Sequence, residues 1–306
     1  MEEMVGKIKL ELDQYCGEDL YSDGEIEQTL LDLAKTHTEE ELNSVIAQEY
    51  SWPVLYHFSH IRSNIVAWLP IDKSMEVLEI GSGCGAITGK LAEMSRHVDC
   101  IELSKQRSLI NANRNRAHDN ITIKVGNFTD VEKTLTKQYD VITLIGVFEY
   151  AECYVNIEQP YTAFLEIIKK HLKKGGQIVI AIENRLGMKY LSGCMEDHTS
   201  LIGEGLKHYP VSSGVKTFDK SELCAILNSA GLSNHTFYYP YPDYKLPMQI
   251  YSDDYLPKVG ELSQNYNNLD QERVEVFLER DGFDFAIAHN LFPEVSNSFL
   301  VVALGE

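Results

Sequence analysis

Three glycines at alternate positions, Gly81, Gly83 and Gly85, follow the apolar run Val77-Leu78-Glu79-Ile80, and a helical pattern continues from Ala86 to Ser95. Glycine lets a chain turn sharply and lets a cofactor approach the backbone with no Cβ in the way. The spacing is GxGxG rather than the GxGxxG of dinucleotide folds, and Glu79 stands two residues before the first glycine. A pyrophosphate has no use for a carboxylate there, whereas a cofactor carrying an ammonium group does. Glu102 closes the next apolar run, 21 residues after Gly81. That is where an acid accepts hydrogen bonds from both ribose hydroxyls of a nucleoside cofactor.

These residues need a sheet to hold them. After Pro70, short apolar strands alternate with helices, the pattern of a parallel sheet with crossover helices. Strands are predicted at Glu76–Ile80, His97–Glu102, Ile121–Val125, Tyr139–Ile145 and Gly176–Glu183, with later ones near Asn234–Tyr239 and Ser298–Leu304. Helices are predicted near Ala86–Ser95, Lys105–Arg116, Tyr161–Leu172 and Asp219–Ala230. The expected fold is α/β, a Rossmann-like, seven-stranded, mostly parallel sheet with flanking helices. Residues 1–50 read as acidic and helical, with Ile26, Leu30, Leu31, Leu33 and Ala34 in phase and Thr36 or Thr38 as caps. A second amphipathic helix is predicted from Trp52 to Trp68. Residues 1–70 are therefore expected to form an N-terminal helical cap and 71–306 the core. Inserts at 184–216 and 240–296 would form a lid, the second turning helical around Gln271–Arg280.

Composition narrows the partners. The 306 residues include 27 basic and 46 acidic side chains, a net charge of −19, which repels phosphate backbones and argues against a nucleic-acid partner. Only Arg107–Arg116 and Lys169–Lys174 are locally basic, and the second reads as cations at a helix C-terminus. No apolar run approaches the roughly 20 residues of a membrane span, and no basic-then-apolar leader opens the chain, so a cytoplasmic location is expected. The six cysteines form no CxxC pair or zinc-like spacing with histidine, and no metal is expected.

The chain resembles the class I S-adenosylmethionine-dependent methyltransferases, strongly over residues 75–183 and more weakly after Asp219. The resemblance implies S-adenosylmethionine as cofactor, with the methionine end held by Glu79, Gly81, Ser82, Gly83 and Gly85 and the ribose by Glu102 and its neighbour Leu103. It also implies that the loop Gly126-Asn127-Phe128 covers the adenine. Many members carry Asp where Asn127 stands, and an Asn carbonyl can accept from the adenine amino group equally well. Gly146-Val147-Phe148-Glu149-Tyr150 matches the edge where cofactor meets acceptor. The segments Ser51–His57, Ala181–Tyr190, Glu196–Thr199 and Ile250–Pro257 resemble a bacterial subgroup associated with surface-polysaccharide gene clusters, where such domains accompany glycosyltransferases. The Asn/Asp-Pro-Pro-Tyr/Phe motif of base and glutamine-amide methyltransferases is missing after the fourth core strand.

Methyl transfer to a sugar hydroxyl benefits from a general base. His198 is the first candidate, with Asp197 as a neighbouring carboxylate and Glu149 as a second candidate base; an exposed polar turn and a solvated loop acid are the plainer alternatives. Tyr56 and His57 could close over the methionine end or pack in the core. Arg62 could meet the cofactor carboxylate or make a surface ion pair. Asp197, His198 and Glu204 fit no recognised metal pattern. Phe237–Tyr244 could stack on sugar rings or pack. The leading expectation is O-methylation of a sugar of a bacterial surface glycan or its precursor. A small-metabolite methyltransferase (O, N or C acceptor) and a non-catalytic binding protein are the alternatives.

Overall fold

The computed structural model describes every residue except 1, 20, 21, 50, 156, 212, 213, 264–272 and 306. The chain divides into two compact units, Met1–Ile145 with Ile168–Ile178 and Gly305–Glu306, and Gly146–Ile167 with Val179–Leu304. Ten strands are described rather than seven: β1 (Glu2–Val5), β2 (Ile8–Gln14), β3 (Glu76–Ile80), β4 (His97–Glu102), β5 (Ile121–Gly126), β6 (Tyr139–Ile145), β7 (Leu172–Glu183), β8 (His235–Tyr241), β9 (Gln249–Ser252) and β10 (Ser298–Leu304). All seven predicted strands are present. The additions are β1, β2 and β9.

In the first unit the strand order is β1-β2-β5-β4-β3-β6-β7. The pairs from β2 through β6 are parallel. Residues 2–14, expected to be helical, form the β1–β2 hairpin instead. Ile8 and Leu10 are fully buried while Lys9 and Glu11 between them are not, a period of two that only a strand satisfies. The predicted Trp52–Trp68 helix is broken into Trp52–Phe58, a 3₁₀ turn His60–Ser63 and Asn64–Ala67. Helices Ile26–Thr36 and Glu39–Glu49 bury Leu30, Leu31, Ala34, Leu42 and Val45 against Val54, Phe58, Cys84 and Ile110. Of the two candidate caps, Thr38 is the one used: its Oγ1 accepts from Glu41 N while Glu41 Oε2 accepts from Thr38 N.

The two basic clusters are also accounted for within this unit. Arg107 pairs with Asp23 and Glu27, and Arg114 with Glu39. The helix before β7 ends at Lys169, so Lys173 lies in the strand and pairs with Asp140 at 2.7 Å rather than serving a helix terminus.

β7 belongs to the first unit up to Ile178 and to the second from Val179, and the second unit's strands follow in the order β7-β10-β8-β9, with β10–β8 and β8–β9 antiparallel. Phe237, Tyr239, Tyr241 and Tyr244 are buried, and Phe237 and Tyr239 meet Phe299 edge-on, so these rings pack rather than offer stacking faces. The helix Lys220–Ser229 opens on a capping box of Asp219 and Glu222. The helix expected at Gln271–Arg280 runs over Glu279–Ala288, and residues 271 and 272 lie outside the described ones. Among the described residues no helix is long and apolar enough to cross a membrane.

Gly126 shows why β2 can join. Its φ is +153°, and a Cβ on it would fall 2.6 Å from the Gln14 carbonyl oxygen of β2. Gly126→Ala is expected to destabilise the fold by about 1–3 kcal/mol, read as a lower midpoint in chemical denaturation; an unchanged midpoint would show that β2 yields without cost.

Candidate functional site

In the first unit, β3 and β4 end side by side, with Glu79 paired in register to Cys100. The turn after β3 carries Gly81, Gly83 and Gly85 at φ +71°, +50° and +79°. Gly81 N and Ser82 N both donate to Ile101 O, tying the turn to β4. A Cβ on Gly85 would collide with Asn111 Oδ1 at 2.4 Å, whereas one on Gly83 would meet nothing within 4 Å. Gly85 is therefore a packing glycine, while Gly83 turns its open side outward. The Ser82 hydroxyl is buried without a hydrogen-bond partner.

Glu102 holds this turn. Its Oε2 accepts from Gly83 N at 2.7 Å and its Oε1 from Ser104 N at 2.9 Å. Each carboxylate oxygen retains capacity for a further donor, as two ribose hydroxyls require. Leu103, next in the chain, is half-buried. Glu79 is also buried, and its Oε2 accepts from Thr88 Oγ1 at 2.7 Å. Asn111 and Asn115 continue that chain of hydrogen bonds behind Thr88. Burial pushes the Glu79 carboxyl up to about 7, against the pull of Thr88, Cys100 and the Arg62 charge.

Arg62 is buried and forms no ion pair among the described residues. Its guanidinium lies over the Tyr56 ring at 4.0 Å, and its Nε and Nη1 have no hydrogen-bond partner. Tyr56 in turn stacks on Trp52. His57 is buried against Asp23 at 3.1 Å, and burial holds its imidazole below the ordinary value. Asn127 caps the short helix Phe128–Val131, its Oδ1 accepting from both Thr129 N and Thr129 Oγ1. Its carbonyl is therefore already engaged, and only its amide N–H groups are available to a base. Phe128 is buried.

The second unit begins where β6 ends. Gly146 (φ +70°) donates to Ala181 O, and a Cβ there would lie 2.7 Å from the Tyr244 hydroxyl. Glu149 follows on a 3₁₀ turn anchored by Phe148, whose ring packs among Tyr161, Phe164 and Phe218. The Glu149 side chain is 1% exposed; its Oε1 is 3.8 Å from His198 Nε2 and its Oε2 has no partner. His198 Nδ1 is 2.9 Å from Glu196 Oε1, and the other Glu196 oxygen accepts from His198 N, Thr199 N and Thr199 Oγ1. The two bases expected separately, His198 and Glu149, are thus neighbours, and the acid that orients the ring is Glu196.

Burial disfavours the imidazolium, but Glu149 and Glu196 outweigh it and push the His198 pKa up to about 10. The two acids thus favour the imidazolium, the form that donates rather than accepts a proton, which weighs towards Glu149 of the two expected bases. Asp197 points elsewhere. It bonds Lys189 Nζ at 2.7 Å and the Tyr190 hydroxyl at 2.6 Å, in a buried group completed by Glu183 and Lys245. Glu204 accepts from Val211 N. Among the described residues no three His, Cys, Asp or Glu side chains are grouped to hold a metal ion.

Residues 78–178 match the family model described as a methyltransferase domain. The chain therefore carries a methyltransferase domain, with S-adenosylmethionine as its cofactor. The matched stretch contains the glycine turn, Glu102 and Glu149 of the methyltransferase. Its structural neighbours include the methyltransferase bound to the Trm112 activator from Haloferax volcanii (17% identity, covering 88% of this chain and 97% of that one, TM-score 0.47). Others are the N-methyltransferase NodS of Bradyrhizobium japonicum (12%, 81% and 93%, TM-score 0.41) and phosphoethanolamine N-methyltransferase 1 of Haemonchus contortus (14%, 94% and 51%, TM-score 0.47). No curated protein matches the chain.

Thr88, Asn111, Glu196 and the stacking of Arg62 on Tyr56 escaped the sequence reading. Glu196 had a signal, its position two residues before His198; Thr88 and Asn111 act through tertiary contacts alone. Ring nitrogen NMR of the methyltransferase is expected to show His198 still protonated at pH 8, its charged pairs contributing stability that fades as pH rises towards about 10. Titration near the ordinary value of 6.5 would contradict the Glu149–His198–Glu196 arrangement.

Proposed function

We propose that the enzyme methylates a heteroatom of a small-molecule acceptor and that Glu149 receives the proton the heteroatom gives up. The observation that carries the reading is the buried Oε2 of Glu149, which has no partner and stands four residues beyond β6. Bound S-adenosylmethionine supplies a methyl group already activated on a sulfonium sulfur. The chain's own work is to bind, orient and move one proton. Glu102 takes the ribose hydroxyls, Gly83 leaves room for close approach, and Arg62 offers two unused donors to the cofactor carboxylate. Glu79 favours the cationic end. His198, 3.8 Å from Glu149, orients that carboxyl rather than acting as base.

The acceptor class suggested by the sequence resemblance is a sugar of a surface glycan or its precursor, with glycosyltransferases as neighbours in the pathway. The insert 184–216 would supply its binding groups through Glu196 and His198. A small metabolite is the alternative. Labelled cofactor offered to both classes separates them: label in glycan alone supports the first, and label in a metabolite alone sinks it.

Two outcomes follow for the residues. Glu149→Gln should lower kcat by about 10²–10⁴-fold while calorimetric affinity for S-adenosylhomocysteine stays unchanged; full activity would remove Glu149 from the mechanism. A cation arriving near Glu79 favours its ionised form, so binding should release protons and tighten between about pH 6 and pH 8. Calorimetry in buffers of different ionisation enthalpy reads that release. Its persistence in Glu79→Gln would assign the proton to another group.

A further inference from the structure

We infer that the group the acceptor presents to Glu149 is a protonated amine, as an amino sugar or an alkylamine carries, rather than a neutral hydroxyl. The inference rests on Glu149 being the acceptor-side group, and it follows from how the buried charges are paired. Glu149 and Glu196 are 1% and 2% exposed, and His198 is the one cation between them. Two carboxylates and one imidazolium leave one negative charge over.

That charge falls on Glu149. Glu196 is fully engaged: one oxygen takes the His198 ring N–H and the other takes two backbone amides and the Thr199 hydroxyl. Glu149 has only a long contact, 3.8 Å, on one oxygen and nothing on the other. Four cations of the same unit are paired with other acids. Lys189 and Lys245 face Glu183 and Asp197, Lys216 faces Glu152 at 3.0 Å, and Arg185 faces Asp219 and Glu222. Among the described residues no Lys or Arg pairs with Glu149.

A buried carboxylate without a counter-charge is strongly disfavoured, and removing the partner of a buried pair is far costlier than never having the pair. A hydroxyl would satisfy one lone pair of Oε2 but leave the charge. An ammonium satisfies both, through a charge-assisted hydrogen bond. The chemistry balances. Glu149 takes one proton from the ammonium, and the freed nitrogen lone pair forms the bond to the methyl carbon. The carbon–sulfur bond breaks with its electron pair going to sulfur, which becomes neutral. The positive charge ends on the methylated nitrogen.

The test is binding to the enzyme saturated with S-adenosylhomocysteine, by calorimetry, of matched probes that differ only in –NH₃⁺ against –OH: glucosamine against glucose, and propylamine against propanol. At least one amine is expected to bind about tenfold or more tighter than its hydroxyl twin, with the preference lost in Glu149→Gln and retained in Glu149→Asp. The thermal shift given by S-adenosylhomocysteine, unchanged in both variants, shows that they fold. A panel in which no amine outbinds its twin overturns the inference, as does an amine preference that survives Glu149→Gln. Methyl transfer that survives Glu149→Gln while the amine preference disappears would instead overturn only the proton-accepting role.

Discussion

The bond from Gly83 N to Glu102 Oε2, 2.7 Å long, is the constraint on which the glycine turn depends. It joins the turn after β3 to the end of β4, and the second Glu102 oxygen fixes Ser104, the N-cap of the helix Lys105–Arg114. One carboxylate therefore sets the turn, the strand end and the helix start together. Its burial pushes the pKa up, while the backbone N–H groups and the Arg107 charge pull the other way. Such a group is costly to bury and has value only where its geometry is used. Here the two oxygens that fix the turn each keep capacity for one further donor, which the proposed ribose contact would use.

The second unit uses buried charge differently. Glu183, Lys189, Asp197 and Lys245 form a balanced set, two acids and two lysines, beside the segment that carries Glu196 and His198. A balanced set fixes geometry without calling for a ligand. The Glu149–His198–Glu196 group has two acids to one imidazole, the imbalance on which the proposed acceptor contact rests. Asp197 and His198 are adjacent in sequence, yet they belong to the two different groups.

Most of the core was legible. Glycine spacing, Glu79 and Glu102 lie within one strand–turn–helix unit and its neighbour, where local periodicity and position suffice. The strands β3, β4 and β6 begin and end where alternation and apolar runs place them. The N-terminal hairpin was missed because its acidic content masked the alternation of Ile8 and Leu10. The setting of His198 was not legible because it depends on Glu149, distant in sequence, as well as on Glu196. Asn127 was read by analogy with an acid, and only local geometry shows its carbonyl turned to Thr129. The Arg62–Tyr56 stack needed the break in the Trp52–Trp68 helix, which the periodicity did not show.

The central claim is that Glu102 organises a nucleoside-binding turn for S-adenosylmethionine. Calorimetric titration of the wild type and Glu102→Gln with S-adenosylhomocysteine tests it most directly. The wild type should bind, and the variant, losing charge-assisted hydrogen bonds of about 1.5–3 kcal/mol each, should bind at least about tenfold more weakly. A wild type that does not bind, or a variant that binds equally well, would contradict the account.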